Sequence, residues 1–183
     1  SEDLGGGLKA KFNLENGFSL ATGAISQNGS SGGVLFDRLA WVGLSSPTAG
    51  EVQLGRNTNS TFDFAAQGIT DPLNQMLDGV STPVNVANST ALRVNQAITV
   101  VGATNSFKTT RSDGQIKYIN SVGPVTAVVG YAPGGVAGDA EQKTSWNAGL
   151  KATVAGVTGA ASTLQAKDAA GRKLEVYSYG ATA

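Results

Sequence analysis

Between Leu8 and Glu15 the chain reads LKAKFNLE, with Leu8, Ala10, Phe12 and Leu14 alternating against Lys9, Lys11, Asn13 and Glu15. A period of two over such a run predicts a strand with one apolar and one polar face. Residues 145–154 repeat the pattern, with Trp146, Ala148, Leu150, Ala152 and Val154 on one side and Ser145, Asn147, Gly149, Lys151 and Thr153 on the other. Further strands are predicted over 35–44, 51–58, 115–122, 125–132, 143–154, 157–167 and 173–181, making eight with the first. Turns such as Gly123-Pro124 and Ala155-Gly156 alternate with longer loops. This punctuation predicts an all-β, up-and-down antiparallel meander. Ser1 falls within a turn, and GGGL at 5–8 is a turn before a strand; no helix follows, so it is no phosphate loop.

The rhythm breaks between 59 and 114. One short helical turn is predicted behind Asp71-Pro72 in ITDPLNQMLDGV. Residues 92–103, LRVNQAITVVGA, are open between an extra strand and loop. A stretch this long with little regular structure is usually functional.

Alternation does not say which face is inside. A soluble sandwich buries its apolar face, whereas a membrane barrel turns it to lipid and lines a wet lumen with the polar one. Three features favour the barrel. Several runs approach the length that crosses a bilayer. The apolar faces are rich in Ala and Gly, where a sandwich core would use larger aliphatics. Phe12, Phe18, Phe36, Trp41, Tyr118, Tyr131, Trp146, Tyr177 and Tyr179 fall mostly within predicted strands, several near their ends, as an interfacial girdle would place them.

Composition narrows the chemistry. Charged residues are 14% of the chain, fewer than a soluble domain usually carries. Thirteen basic side chains balance thirteen acidic ones, so there is no electrostatic case for nucleic acid as a partner. With no Cys and no His, the usual zinc sites, thiol nucleophiles and Ser-His-Asp triads are absent. Without a convincing carboxylate pair either, the sequence supports no enzyme and no cofactor. The longest apolar runs, such as VTAVVGYA, fall far short of a membrane helix.

Five segments taken in order carry a resemblance: EDLGGGLKAKFNLENGF (2–18), LFDRLAWVGL (35–44), GEVQLGRN (50–57), DGQIKYINSVGPVTAVVGYAPGGVAGD (113–139) and AKDAAGRKLEVYSYGA (166–181). Together they resemble the general porins of Gram-negative outer membranes, of the betaproteobacterial type. The likeness covers nearly the whole chain and is weakest over 84–112. It implies a sixteen-stranded transmembrane barrel, of which this chain holds about strands three to ten as part of a longer protein. It also implies a homotrimer set in outer-membrane lipid and lipopolysaccharide, passing small hydrophilic solutes and ions passively. Residues 59–114 match the third loop, which in this family folds into the lumen.

The family's constriction sets basic wall residues against acidic residues on that loop. The resemblance assigns Arg38 and Arg56 to the wall, and Asp63, Asp71 and Asp78 to the loop. Lys9, Lys11 and Glu15 face the lumen by alternation. Arg38 lies opposite in phase to Leu39 and Trp41, whereas Arg56 shares parity with Val52 and Leu54 and needs a bulge near Gly55 to turn inward. A basic wall implies a lean toward anions. Two alternatives stand beside this reading. One is a small closed eight-stranded barrel, which has no room for so long an inward loop; the other is a structural or adhesive fibre subunit without channel activity.

Overall fold

The computed structural model describes residues 1–18, 20, 23, 25, 35–67, 69, 111–139, 141–167, 171 and 173–183. Among them the chain forms strands β1 (Glu2–Gly5), β2 (Leu8–Glu15), β3 (Leu39–Ser46) and β4 (Gly50–Thr58), then a helix, α1 (Ser60–Ala66). Strands β5 (Arg111–Val122), β6 (Val125–Ala132), β7 (Ser145–Val154), β8 (Val157–Lys167) and β9 (Lys173–Thr182) follow. Each strand pairs antiparallel with the next in the chain, so β1 and β9 form the two edges of one up-and-down sheet. Residues 6–7, 47–49, 123–124 and 155–156 turn the chain tightly at one end, and the long connections gather at the other.

The sheet departs from the sequence expectation in three places. Residues 2–5, read as part of a turn, are strand β1, which pairs with β2 through Glu2↔Ala10 and Asp3↔Lys9. Gly5, Gly6 and Gly7 all take positive φ there, folding the chain straight back in a way that side-chain-bearing residues resist. β3 begins at Leu39 rather than 35, because Phe36 sits at φ 61°, outside any strand conformation. β5 begins at Arg111 and so takes up the last residues assigned to the long unpatterned stretch. A helix that the sequence reading did not place lies at Ser60–Ala66, while the turn expected behind Asp71-Pro72 falls outside the described residues. Asn59 starts the helix: its side-chain Oδ1 accepts from the Phe62 N–H at 2.9 Å, a bond that satisfies one of the free donors of a first turn. Asp71, Asp78 and residues 84–110 lie outside the described residues.

The register makes the two faces continuous. One row runs Phe12↔Val42↔Leu54↔Ile116↔Tyr131↔Trp146↔Gln165 across seven strands. A parallel row runs Ala10↔Leu44↔Val52↔Tyr118↔Val129↔Ala148↔Thr163↔Tyr177. The opposite face carries Lys11↔Gly43↔Gln53↔Lys117↔Gly130↔Asn147↔Leu164. Beside it run Lys9, Ser45, Glu51, Ile119, Val128, Gly149 and Ser162.

Burial is inverted relative to a water-soluble sheet. Phe12, Val42 and Leu150 are 64%, 59% and 57% exposed, whereas Gln115 and Asn147 are 0% exposed. A contiguous apolar face of this extent is not left bare in water. Among the described residues a small apolar cluster, Phe64 of α1 with Ile69, Val128 and Ala160, sits on the polar side.

Trp41 is a correction. It pairs with Asn13 and Gly55, and Leu39 pairs with Glu15, so both share the polar face rather than the apolar one. The phase argument for Arg38 therefore does not hold, because Arg38 precedes the strand and has no place in its alternation.

Candidate functional site

Helix α1 is fastened to the polar face by its own polar residues. Lys117 Nζ reaches across from the middle of β5 to Asp63 Oδ2 at 2.6 Å and to the Thr58 carbonyl at 3.1 Å. The Thr58 hydroxyl donates to the other Asp63 oxygen at 2.6 Å. Asn147 Oδ1 accepts from the Ser60 N–H at 2.9 Å, and the Ser162 hydroxyl donates to Thr61 Oγ1 at 3.2 Å. Lys151 Nζ donates to Gln67 Oε1 at 2.8 Å, just past the end of the helix.

The apolar contact is as specific. Phe64, 1% exposed, lies over Gly149, where a Cβ would stand 2.5 Å from its ring. Glycine at 149 is thus what lets the ring reach the strand.

A second group of charges gathers at the long-connection end, where β2 finishes and β3 starts. Arg38 Nε donates to Glu15 Oε1, and the Arg38 backbone N–H donates to the Glu15 carbonyl at 3.1 Å. Arg56 forms an ion pair with Asp113, and its Nε donates to the Asp37 carbonyl at 2.6 Å. Arg111 lies within electrostatic reach of Arg38, Arg56, Glu15 and Asp37, with its guanidinium 5.6 Å from the Phe62 ring centroid. β4 pairs with β3 in unbroken register through Val42↔Leu54 and Ala40↔Arg56, so the irregularity near Gly55 lies on the side of β5, which carries the extra residue. The β4–β5 register shifts between Gly55 and Asn57, and Gly55 takes φ 132°.

At the tight-turn end, Lys11 Nζ pairs with Glu51 Oε2 at 2.6 Å, and Gln53 Nε2 donates to Glu51 Oε1. Gln53 in turn accepts from Asn57 Nδ2, so a polar chain runs up the face of β4.

Of the residues singled out from the sequence, Lys9, Lys11 and Glu15 lie on the polar face by register. Arg38, Arg56 and Glu15 come together, and Asp63 meets Lys117. The reading missed Lys117, Arg111, Glu51, Asp37 and Asp113. Lys117 carried a usable signal, because in QIKY it alternates in phase with Gln115 against Ile116 and Tyr118.

The connection between β6 and β7 titrates. Asp139 Oδ1 accepts from the N–H groups of Glu141 at 2.9 Å and Gln142 at 3.2 Å, and the Glu141 bond above all holds its carboxyl below the usual range. The Glu141 carboxyl is held down by its hydrogen bond from Lys167 Nζ, at 2.9 Å. Groups whose folded values lie below their unfolded ones stabilise above the unfolded value, and that contribution is lost as pH falls through the folded value. The expected result is weakened hydrogen-exchange protection of the Glu141 and Gln142 amides, relative to intrinsic rates, below about pH 4. Protection that holds level from neutral to strong acid would refute it.

An apolar face turned outward, a polar face gathering the buried side chains, and a helix clamped across that polar face describe a sheet made for lipid on one side and water on the other. Residues 1–183 match the family model of the Gram-negative porins. The chain belongs to that family.

As a porin it is a protein of the outer membrane. Over 72 residues, 39% of this chain, it is 42% identical to an outer membrane porin of Bordetella pertussis, and the matched stretch is 17% of that relative. Its fold is similar to the anion-selective porin from Comamonas acidovorans, with a TM-score of 0.51 and 20% identity over 97% of this chain. The porin chain described here spans 59% of the length of that structure.

Proposed function

We propose that this porin chain forms part of the wall of a water-filled channel, through which small hydrophilic solutes and ions diffuse passively. The observation that carries it is the inversion of the sheet, with Phe12, Val42 and Leu150 exposed on one face while Gln115, Lys117 and Asn147 are buried on the other. Nothing in this mechanism requires bond-making: the size and field of a constriction set the flux. The further strands of a sixteen-stranded barrel would join at β1 and β9, and the barrel would assemble as a homotrimer in lipid and lipopolysaccharide.

Residues 59–110 are proposed as the third loop, entering the lumen by way of α1. The Asp63–Lys117 pair is the kind of loop acid and wall base that the porin resemblance implies. Arg38, Arg56, Arg111, Glu15, Lys9 and Lys11 are proposed as pore-lining residues, with Asp71 and Asp78 as further loop acids. Lys9 pairs with no carboxylate among the described residues, and the Comamonas neighbour is described as anion-selective; both support a lean toward anions.

In planar bilayers the full protein is expected to give stepwise, ohmic conductance and to run as a heat-modifiable trimer after detergent extraction. A folded protein that produces no steps would end the channel reading.

A further inference from the structure

Among the described residues, Trp41 is the one aromatic side chain that a strand sets on the polar face. The other strand aromatics, Phe12, Tyr118, Tyr131, Trp146, Tyr177 and Tyr179, stand on the apolar face. Helix α1 packs against β6, β7 and β8, whereas Trp41 stands on β3, with β4 and β5 between it and those strands. The indole is partly exposed there. Register places it between Asn13 on β2 and Gly55 on β4, with Leu39 and Gly43 two residues away along its own strand. The backbone requires both glycines. A Cβ at Gly43 would collide with the Val52 carbonyl oxygen, and one at Gly55 with that of Ala40. No side chain therefore rises from either position beside the ring. Leu39 extends the apolar surface by a step of about 7 Å along the strand.

The charged groups on either side of this clearing are already matched. Lys11 is held by Glu51 at 2.6 Å, and Arg38 is held by Glu15. What remains unspent is neutral. Asn13 is exposed, and neither its amide nor the Trp41 indole N–H has a partner among the described residues. We propose that Trp41 and Asn13 form a stacking site for sugars, a reading that rests on this chain lining a channel. An indole attracts through its electron-rich face, and the C–H face of a pyranose ring is flat, apolar and weakly positive. The hydroxyls at the edge of that ring donate and accept; so does the Asn13 amide, while the indole N–H donates. A carboxylate or phosphate would find no free cation, because Lys11 and Arg38 are engaged by their own partners. An organic cation would suit the indole face, but it would sit beside those same two cations and leave Asn13 unused.

Current through the full protein in planar bilayers tests the site, with maltose as the probe and mannitol as its open-chain control. Maltose is expected to give a saturable partial block with added current noise. Mannitol is expected to lower the conductance only as its viscosity does. In Trp41→Ala the half-blocking concentration should rise about tenfold, the scale of a stacked aromatic pair, whereas Trp41→Phe should keep most of the block. Asn13→Ala, at an exposed position, should raise it about threefold through one lost hydrogen bond. Equal responses to maltose and mannitol, or a block that Trp41→Ala leaves unchanged, would overturn the proposal. So would a Trp41-dependent block by tetramethylammonium with none by maltose. If Trp41→Ala does not fold, the contrast of maltose with mannitol in the parent protein, Trp41→Phe and Asn13→Ala still decides. Normal conductance steps that ignore maltose end this inference alone, whereas a folded protein without steps ends the channel reading as well.

Discussion

Replacing Arg38 and Arg56 together by serine is expected to turn the channel toward cations. Arg38, Arg56 and Arg111 share their end of the polar face with Glu15, Asp37 and Asp113, in rough balance of charge. The double substitution leaves one guanidinium against three carboxylates and frees Glu15 and Asp113 from their partners. Two charges about 6 Å from an ion's path through water change its energy by on the order of 1.4 kcal/mol in all. Cations gain and anions lose that amount, so before screening the cation-to-anion permeability ratio rises by roughly a hundredfold. Salt screens the effect, so it should be larger at low ionic strength. Reversal potentials across a salt gradient measure it directly. If the variant still runs as a heat-modifiable trimer and its reversal potential equals that of the parent protein, the two arginines have no part in selectivity.

Lys117→Met is expected to have the largest effect on the seating of α1. The lysine is almost fully buried, and its ammonium faces Asp63, whose carboxylate keeps some contact with water. Removing one partner of a buried pair strands the other charge, at about 3 kcal/mol for a pair on the more exposed side of the buried range. Asp63 would keep only the Thr58 hydroxyl. The helix should then leave the wall in a large fraction of molecules, giving unequal, noisy conductance levels and earlier thermal loss of the folded band in gels. Lys117→Met combined with Asp63→Leu removes both charges, so most of the thermal loss should be recovered. A single variant with steady conductance and unchanged melting would show that the pair does not hold the helix.

What the sequence made legible follows from the range of each interaction. Alternation is local, and it found 125–132 and 157–167 to the residue because nothing there competes with a period of two. It also marked Arg56 as out of place, since an arginine in phase with Val52 and Leu54 would place a charge among the apolar side chains; the register breaks beside it, on the side of β5. The start of β3 was misread because Leu35 and Phe36 look like strand residues, although the backbone at Phe36 is left-handed. Trp41 was misread because an indole resembles an outward anchor, and only the pairing with Asn13 and Gly55 places it on the polar face. Strand β1 was missed because four residues are too few to show a period. The Lys117–Asp63 pair was invisible for a different reason. Its partners lie 54 residues apart, and no local pattern joins them.

Because every strand pairs only with its neighbour in sequence, the sheet divides into segments that differ in how quickly they can form. Hairpins β3–β4, β5–β6 and β7–β8 close over turns of two or three residues. The β4–β5 seam closes over the whole of 59–110, and a loop that long costs about 2–3 kcal/mol more to close than a tight turn. Contacts distant in sequence form late in assembly for this reason. Two blocks, β1–β4 and β5–β9, can therefore order separately before they meet. The residues that fasten α1 to β5, β7 and β8 then join the end of the first block to the second. In this light Asp63 and Phe64 are also assembly residues, whose loss would be felt as slow insertion before it was felt as altered flux.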